Sequence, residues 1–200
     1  MKYGGRIEKD PNGDEYFLIP VNPPKPSALE LSWSPGPALE ARFTEAEMAQ
    51  ITASVSPKKV QDALAKFAPG WKLDNCGSDM NPGLRADWAG KKNVLATHPL
   101  DQSTACTLSK SLEIPANKKT TLHLVVGHDP QGDFDLIVRI DAKQLLRTPV
   151  DPKTATAHWL TKDIDLSTYA GKTIKLELLN QPSGWSNEAA YWAEIKIVSE

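Results

Sequence analysis

The sequence predicts a mainly β fold, an antiparallel β-sandwich or jelly roll, preceded by a short helical segment and a proline-rich N-terminal arm. Two observations predict the sandwich. From Trp71 onward, apolar and polar residues alternate with the period of two that is typical of strands with one buried face. Seven or more such segments follow one another, with turn sequences and no helical pattern between them.

Residues 1–43 are expected to form an extended arm. Prolines at positions 20, 23, 24, 26, 35 and 37 remove the amide donors that a sheet or helix needs. Before them, residues 11–14 (PNGD) indicate a turn and residues 16–19 (YFLI) a short strand. Trp33 and three leucines in the arm indicate that it packs on an apolar surface.

Residues 44–69 are expected to be helical. Thr44 and Glu47 form a capping box, which predicts a first short helix. Residues 56–57 (SP) start a second helix, in which Val60, Leu64 and Phe67 recur at helical spacing. Residues 68–70 (APG) end it, so this segment is a cap and not an independent domain.

Residues 70–200 are predicted to form the sandwich domain. The alternation is clearest in residues 122–126 and 134–140, where Leu122, Leu124 and Val126 share one face. Further strands are predicted at residues 108–114, 143–147, 158–166, 172–179 and 190–198.

Composition limits the partners. The 200 residues include 23 Lys and Arg against 25 Asp and Glu, a net charge of -2, so no global positive field attracts nucleic acid. Apolar runs such as residues 124–126 are far shorter than the roughly 20 residues of a membrane span, so no membrane insertion is expected. No apolar signal segment follows Met1.

Cys76 and Cys106 are the two cysteines. They form either a disulfide, which would close a loop of about 30 residues, or two buried thiols. Neither has a second cysteine within three residues, which excludes the usual zinc-ribbon and thioredoxin spacings.

Five segments carry a resemblance to a known group of domains: SLEIPA at 111–116, LHLVVGHD at 122–129, GDFDLIV at 132–138, DLSTYAGK at 165–172 and EAAYWAEIKI at 188–197. Together they resemble the galactose-binding-like jelly roll. More narrowly they are similar to the carbohydrate-binding-module type domains, of the NPCBM kind, appended to large secreted bacterial enzymes. The resemblance implies a noncatalytic binding module of an exported bacterial protein (periplasmic, cell-surface or extracellular), often with a structural calcium ion.

Trp185 is the first candidate ligand-binding residue. It lies in the loop SGWSN, where small neighbours bury little of it. A sugar ring needs an aromatic platform with planar polar groups nearby, and Asn180, Gln181, Asn187 and Glu188 supply these groups. The alternative is that this tryptophan packs under the helical cap or the arm.

Four other residues extend the candidate site or its surroundings. Trp159 and Trp192 are out of phase with their apolar neighbours and are expected to point away from the core. Arg85 and Trp88 lie in a long segment before the strands and are further candidate ligand contacts. An aromatic cluster on an outer sheet face would use the same tryptophans.

A calcium site is a further hypothesis. Asp74 and Asp79, with Asn75 and Asn81, offer oxygen ligands close to Cys76. A second acidic group at residues 128–135 is better explained by a hairpin turn.

No catalytic arrangement is recognised. The four histidines lack metal or triad spacing, and Asp163 and Asp165 are expected on a solvated sheet face. The sequence therefore predicts a noncatalytic carbohydrate-binding module whose partner is a glycan or another domain of a larger protein. The alternative is a structural or assembly domain, including a homo-oligomer, and an enzyme on a jelly roll is a third hypothesis.

Overall fold

The computed structural model describes residues 6–9, 15–18 and 57–200. The chain divides into two units, Met1–Met48 and Ala49–Glu200. In the first unit, strands β1 (Arg6–Lys9) and β2 (Glu15–Leu18) pair in an antiparallel hairpin. β2 matches the strand predicted near Tyr16. β1 was not predicted, because its four residues contain a single apolar side chain, Ile7. The rest of the arm and the helix predicted at Thr44 lie outside the described residues.

Helix α1 (Pro57–Phe67) opens the described part of the second unit. Val60 and Leu64 are buried, and Phe67 packs against the sandwich core, as the helical spacing predicted. Past the end of the helix, Gly70 takes a left-handed conformation (φ +83°) that favours glycine. Among the described residues, no helix is long and apolar enough to cross a membrane.

Two five-stranded antiparallel sheets follow, with strand orders β10-β7-β12-β5-β4 and β3-β6-β11-β8-β9. The prediction of an antiparallel β-sandwich is confirmed. A short 3₁₀ turn (Ser167–Tyr169) precedes β11. The strand bounds are β3 Lys72–Asp74, β4 Gly83–Trp88, β5 Lys91–Thr97, β6 Cys106–Glu113, β7 Thr120–His128, β8 Phe134–Ile140, β9 Lys143–Val150, β10 Leu160–Asp165, β11 Thr173–Gln181 and β12 Ala190–Ser199.

The main core lies between the two sheets. β7 contributes Leu122, Leu124 and Val126, which are fully buried. β8 contributes the alternating residues that the sequence predicted to be buried: Phe134, Leu136, Val138 and Ile140. Trp71 and Leu64 extend this core under helix α1. Alternating strands thus bury one face each and leave the other face for contacts outside the core.

Trp192 corrects one expectation. It was expected to point away from the core, yet it is fully buried inside it. The pairing of β12 with β7 shifts register between Trp192 and Glu194. This β-bulge adds one residue, so Trp192 before it and Ile195 after it face the same side. Strict alternation therefore gave the wrong face.

Cys76 and Cys106 form a disulfide, with Cα atoms 4.4 Å apart. The bond joins the loop after β3 to the first residue of β6. The Gly77 amide also donates to the His98 carbonyl oxygen (2.9 Å), so the same loop is held from both sides.

Replacing both cysteines with Ser is expected to lower the free energy of unfolding by about 3 to 4 kcal/mol, because a cross-link over a separation of 30 residues restricts the unfolded chain. Urea denaturation followed by circular dichroism measures the change. Wild-type protein in reducing agent should match the double variant. Equal unfolding midpoints for oxidised and reduced wild-type protein would contradict the expectation.

Candidate functional site

Three loops that cross between the sheets meet at one end of the sandwich: residues 98–105, 129–133 and 182–189. Thr97, the last residue of β5, pairs with Ala190, the first of β12. Ala190 also pairs with His128, the last residue of β7. The strand ends therefore lie side by side, and we call the three loops together the loop end.

Trp185 lies exposed on the loop end. Its exposed fraction is 40%, high for so large an apolar side chain. On one side its ring meets the ring of His98 edge to face, with centroids 5.3 Å apart and planes at 75°. His98 is itself buried, and its Nδ1–H donates to the Pro99 carbonyl oxygen (2.9 Å). Trp185 is thus supported from below while part of its surface stays open.

Glu188 organises the loop that carries Trp185. The residue is only 2% exposed. Its carboxylate accepts hydrogen bonds from the backbone amides of Ser183 (3.0 Å), Gly184 (3.0 Å) and Ser186 (3.4 Å). Three amides directed at one buried carboxylate fix the loop backbone on both sides of Trp185.

Asn180 is likewise buried, with no exposed surface. Its Nδ2 donates to the carbonyl oxygens of Glu188 (3.1 Å) and Thr97 (3.3 Å), which ties β11 to the neighbouring strand end. Asn180 and Glu188 were expected to face a ligand beside Trp185. The structure instead places both beneath the surface, where Asn180 Nδ2 and the Glu188 carboxylate bond to the backbone of the loop end, while Asn180 Oδ1 is buried without a partner among the described residues. Gln181 and Asn187 are half-buried and remain accessible.

The turn at residues 129–133 packs against the same loop. Asn187 Nδ2 donates to the Gln131 carbonyl oxygen (3.4 Å), and the Ser183 hydroxyl donates to Asp133. Gly132 lies at the closest approach, where a Cβ would overlap backbone carbonyl oxygens of the Trp185 loop. Only glycine leaves the two loops this close.

A second aromatic group lies on the outer face of the β10-β7-β12-β5-β4 sheet. Trp88 stacks on Tyr191, with centroids 3.9 Å apart and planes at 9°, and Trp159 meets Trp88 edge to face at 5.1 Å. Trp159 Nε1 donates to the Ala89 carbonyl oxygen (3.0 Å). Gly127 makes room, because a Cβ there would lie 3.0 Å from Trp88 and 3.2 Å from Trp159. The two tryptophans are half-buried and form the outer-face cluster that sequence analysis held open as an alternative.

Arg85 holds a turn next to this cluster. Its Nη2 donates to the carbonyl oxygens of Met80 (3.1 Å) and Asn81 (2.6 Å), two consecutive residues in the left-handed region (φ 58° and 50°). As a ligand contact, Arg85 stays a prediction.

Tyr191 connects the outer-face cluster with the loop end, because its hydroxyl donates to Asp129 Oδ2 (3.4 Å). Burial raises the pKa of Tyr191, and the negative charge of Asp129 raises it further. Tyr191 was not predicted for this cluster, because strict alternation assigns it to the core phase of β12. The bulge reverses this assignment. In the structure Tyr191 pairs with Gly127 of β7, a pairing that the sequence alone does not show.

Asp74 and Asp79 are both exposed. Among residues 57–200, no three or more His, Cys, Asp or Glu side chains come close enough to hold a metal ion. Calcium takes about six to eight oxygen ligands, which these two carboxylates alone do not supply. The calcium site stays a prediction.

No protein-family model and no curated protein matches this chain. Solved structures that are similar include a family 35 carbohydrate-binding module from Paenibacillus barcinonensis, with 11% identity and a TM-score of 0.43 over 66% of this chain and 94% of that chain.

Two further similar structures are a family 35 module from Clostridium thermocellum (8% identity, TM-score 0.44, 65% of this chain and 92% of that chain) and the CBM22-1 xylan-binding domain from Paenibacillus barcinonensis (15%, 0.45, 66% and 86%). With TM-scores below 0.5, these likenesses are not evidence for a shared ligand.

Replacing Glu188 with Gln is expected to destabilise the protein by about 1.5 to 3 kcal/mol. The side-chain NH2 group of Gln is a donor, so it cannot accept the backbone N–H bonds that the carboxylate oxygen at its position accepted. Chemical denaturation measures the loss, and amide relaxation of residues 183–187 should show a more mobile loop. Glu113→Gln, at an exposed strand position, is the matched control. Equal stability of the two variants would contradict the role of Glu188.

Proposed function

We propose that this domain is a noncatalytic carbohydrate-binding module and that Trp185 is its stacking platform. The observation that carries the proposal is an exposed tryptophan on a loop fixed by the buried carboxylate of Glu188. A platform that is already rigid loses little conformational entropy when a ligand binds, which favours affinity.

The surroundings of Trp185 suit a hydroxyl-rich ligand. Ser183 and Ser186 are exposed, and Gln181 and Asn187 are accessible at the margin of the loop. Within the described part of the chain, the Gln181 side chain forms no hydrogen bond, so its amide is available to a ligand. The apolar face of a sugar ring would lie on the indole while its hydroxyls meet these polar groups.

Three aspartates stabilise the turns in which they lie. The pKa values of Asp101, Asp151 and Asp165 are lowered, in each case chiefly by hydrogen bonds from residues of their own turns. Such carboxylates stay ionised near neutral pH and are poorly suited to donate a proton. Their hydrogen bonds serve local turn structure.

Export is part of the proposal. The disulfide supports an oxidising compartment, since such bonds are rare in most cytosolic proteins. The assignment to an exported bacterial protein otherwise depends on the resemblance of residues 111–197.

Trp185→Ala is expected to weaken glycan binding about five- to thirtyfold, because stacking on an aromatic ring contributes on the order of 1 to 2 kcal/mol. A glycan array identifies ligands of the wild-type protein, and isothermal titration calorimetry then compares the variants. Leu84→Ala, which removes an apolar side chain of similar exposure (38%), is the control and should bind as wild type does.

The assembly alternative has an observation of its own, since Leu100 on the neighbouring loop is 50% exposed. Analytical ultracentrifugation separates the two functions. A dimer that Trp185→Ala and Leu100→Ala both dissociate, together with no glycan binding by the wild type, would replace carbohydrate binding with self-association.

Neutral glycans are expected to bind more tightly than acidic ones. Residues 75–82, 98–105, 129–133 and 182–189 contain no Lys or Arg, whereas Asp101, Asp129 and Asp133 lie on the loop end. If two of these carboxylates lie about 8 Å from the carboxylate of an acidic sugar, their repulsion in water costs about 1 kcal/mol in total, which lowers affinity roughly fivefold. Matched neutral and uronic-acid oligosaccharides, titrated at low and high salt, measure this; salt should narrow the difference. Tighter binding of the acidic member would contradict it.

A further inference from the structure

A cleft of about 270 Å³ lies on the β3-β6-β11 side of the sandwich. It is lined by six residues, three of which are lysines and two of which are serines: Gly70, Lys72, Ser109, Lys110, Ser111 and Lys175. No carboxylate lines it. This cleft is separate from the three loops of the loop end and has no part in the proposed stacking site.

Strand register explains why the lysines converge. Lys72 of β3 pairs with Ser109 of β6, and Lys175 of β11 pairs with Ser111. Directly paired residues share a face, and Ser109 and Ser111 are two residues apart, so all four lie on the outer face of the sheet. Lys110 pairs with the buried Leu176 and so has the opposite phase, and it lines the cleft beside Gly70.

Two of the lysines are held in place by partners. Lys110 Nζ donates to the Pro69 carbonyl oxygen (3.3 Å), just before Gly70. Lys175 Nζ contacts Glu177 Oε1 (2.6 Å), and this hydrogen bond is the main cause of the raised pKa of Lys175, so its ammonium stays charged. Each ammonium has three donors, which leaves donors for a ligand.

Lys72 is different, because it forms no hydrogen bond or ion pair with any residue in the described ranges. Three carboxylates lie beside the cleft on the same outer face: Glu177, which contacts Lys175, Asp74, whose charge also acts on Lys175, and Glu113, two residues along β6 from Ser111. The cleft lining contains three lysines and no carboxylate, so the lining itself carries positive charge.

We propose that this cleft binds a tetrahedral oxyanion, as free sulfate or phosphate or as the sulfate ester of a polysaccharide. Charge-assisted hydrogen bonds from three ammonium groups, with the two serine hydroxyls beside them, match the several oxygens of such a group. A planar apolar ligand would find no aromatic surface in the cleft.

The test titrates ¹⁵N-labelled protein with sodium sulfate or phosphate at constant ionic strength and follows the amides of Ser109, Ser111 and Lys175. Saturable shifts with a millimolar Kd are expected. Lys72→Gln should weaken binding about three- to tenfold, and the triple variant with Lys110→Gln and Lys175→Gln should abolish it. Because Lys72 has no partner among the described residues, its single variant is expected to fold normally.

The control removes three exposed lysines elsewhere, Lys92, Lys118 and Lys143, and makes the same change in net charge. Equal loss of affinity in this control, or unchanged binding in the triple cleft variant, would overturn the proposal. Binding of dextran sulfate is then compared with binding of unsulfated dextran. Binding of dextran sulfate alone identifies a sulfate ester as a source of the oxyanion, and binding of free sulfate or phosphate alone identifies the free ion. Binding of either source should survive Trp185→Ala, so failure here and failure of the carbohydrate site are told apart.

Discussion

The indole N–H of Trp192 is buried between the two sheets and must find an acceptor there. It donates to Thr97 Oγ1 (3.0 Å) at the end of β5. The bulge in β12 makes this contact possible, since it turns Trp192 inward while Ile195 and Ile197 still pack in the core. The same bulge gives Tyr191 to the outer face, where it meets Trp88. One added residue in one strand therefore decides the composition of both the core and the outer-face cluster.

Buried polar groups continue this arrangement to the surface. The Thr97 carbonyl oxygen accepts from Asn180, Asn180 also donates to the Glu188 carbonyl oxygen, and the Glu188 carboxylate accepts from the Trp185 loop. His128 adds a second support, because its Nδ1 lies 2.6 Å from the Asp129 carbonyl oxygen and 2.8 Å from that of Gly132. Leaving any of these groups unpaired inside the protein would be costly, so the loops have few alternative conformations. An exposed aromatic platform can be rigid because the polar layer beneath it is satisfied almost completely.

Alternation predicted β7 and β8 with the correct buried face, because apolar residues occupy every second position over at least five residues of each strand, even though Val125 and Ile137 are apolar residues of the other phase. It failed at β12, where a bulge has no signature in a single sequence. The candidate site was predicted only in part. Trp185 was identified correctly as a loop residue with small neighbours, but Asn180 and Glu188 were taken for surface groups because polar residues near a turn usually are. Their burial depends on backbone groups of Thr97 and residues 183–186, and local sequence does not encode which amides will be left unpaired. The cysteine pairing stayed open for a similar reason, since only the fold brings Cys76 to the start of β6.

The net charge of -2 excluded a global field, yet it concealed a local separation of charge. The loop end carries carboxylates, and its three loops contain no Lys or Arg. Three lysines instead line one cleft on the β3-β6-β11 side of the sandwich. At physiological salt the Debye length is about 8 Å, so exposed charges act mainly on ligands in direct contact with them. Each of the two proposed sites would therefore select by its own charges, which the sum over the chain does not describe. If both proposals hold, the domain binds a neutral ring at the loop end and an oxyanion in the cleft, and neither preference weakens the other.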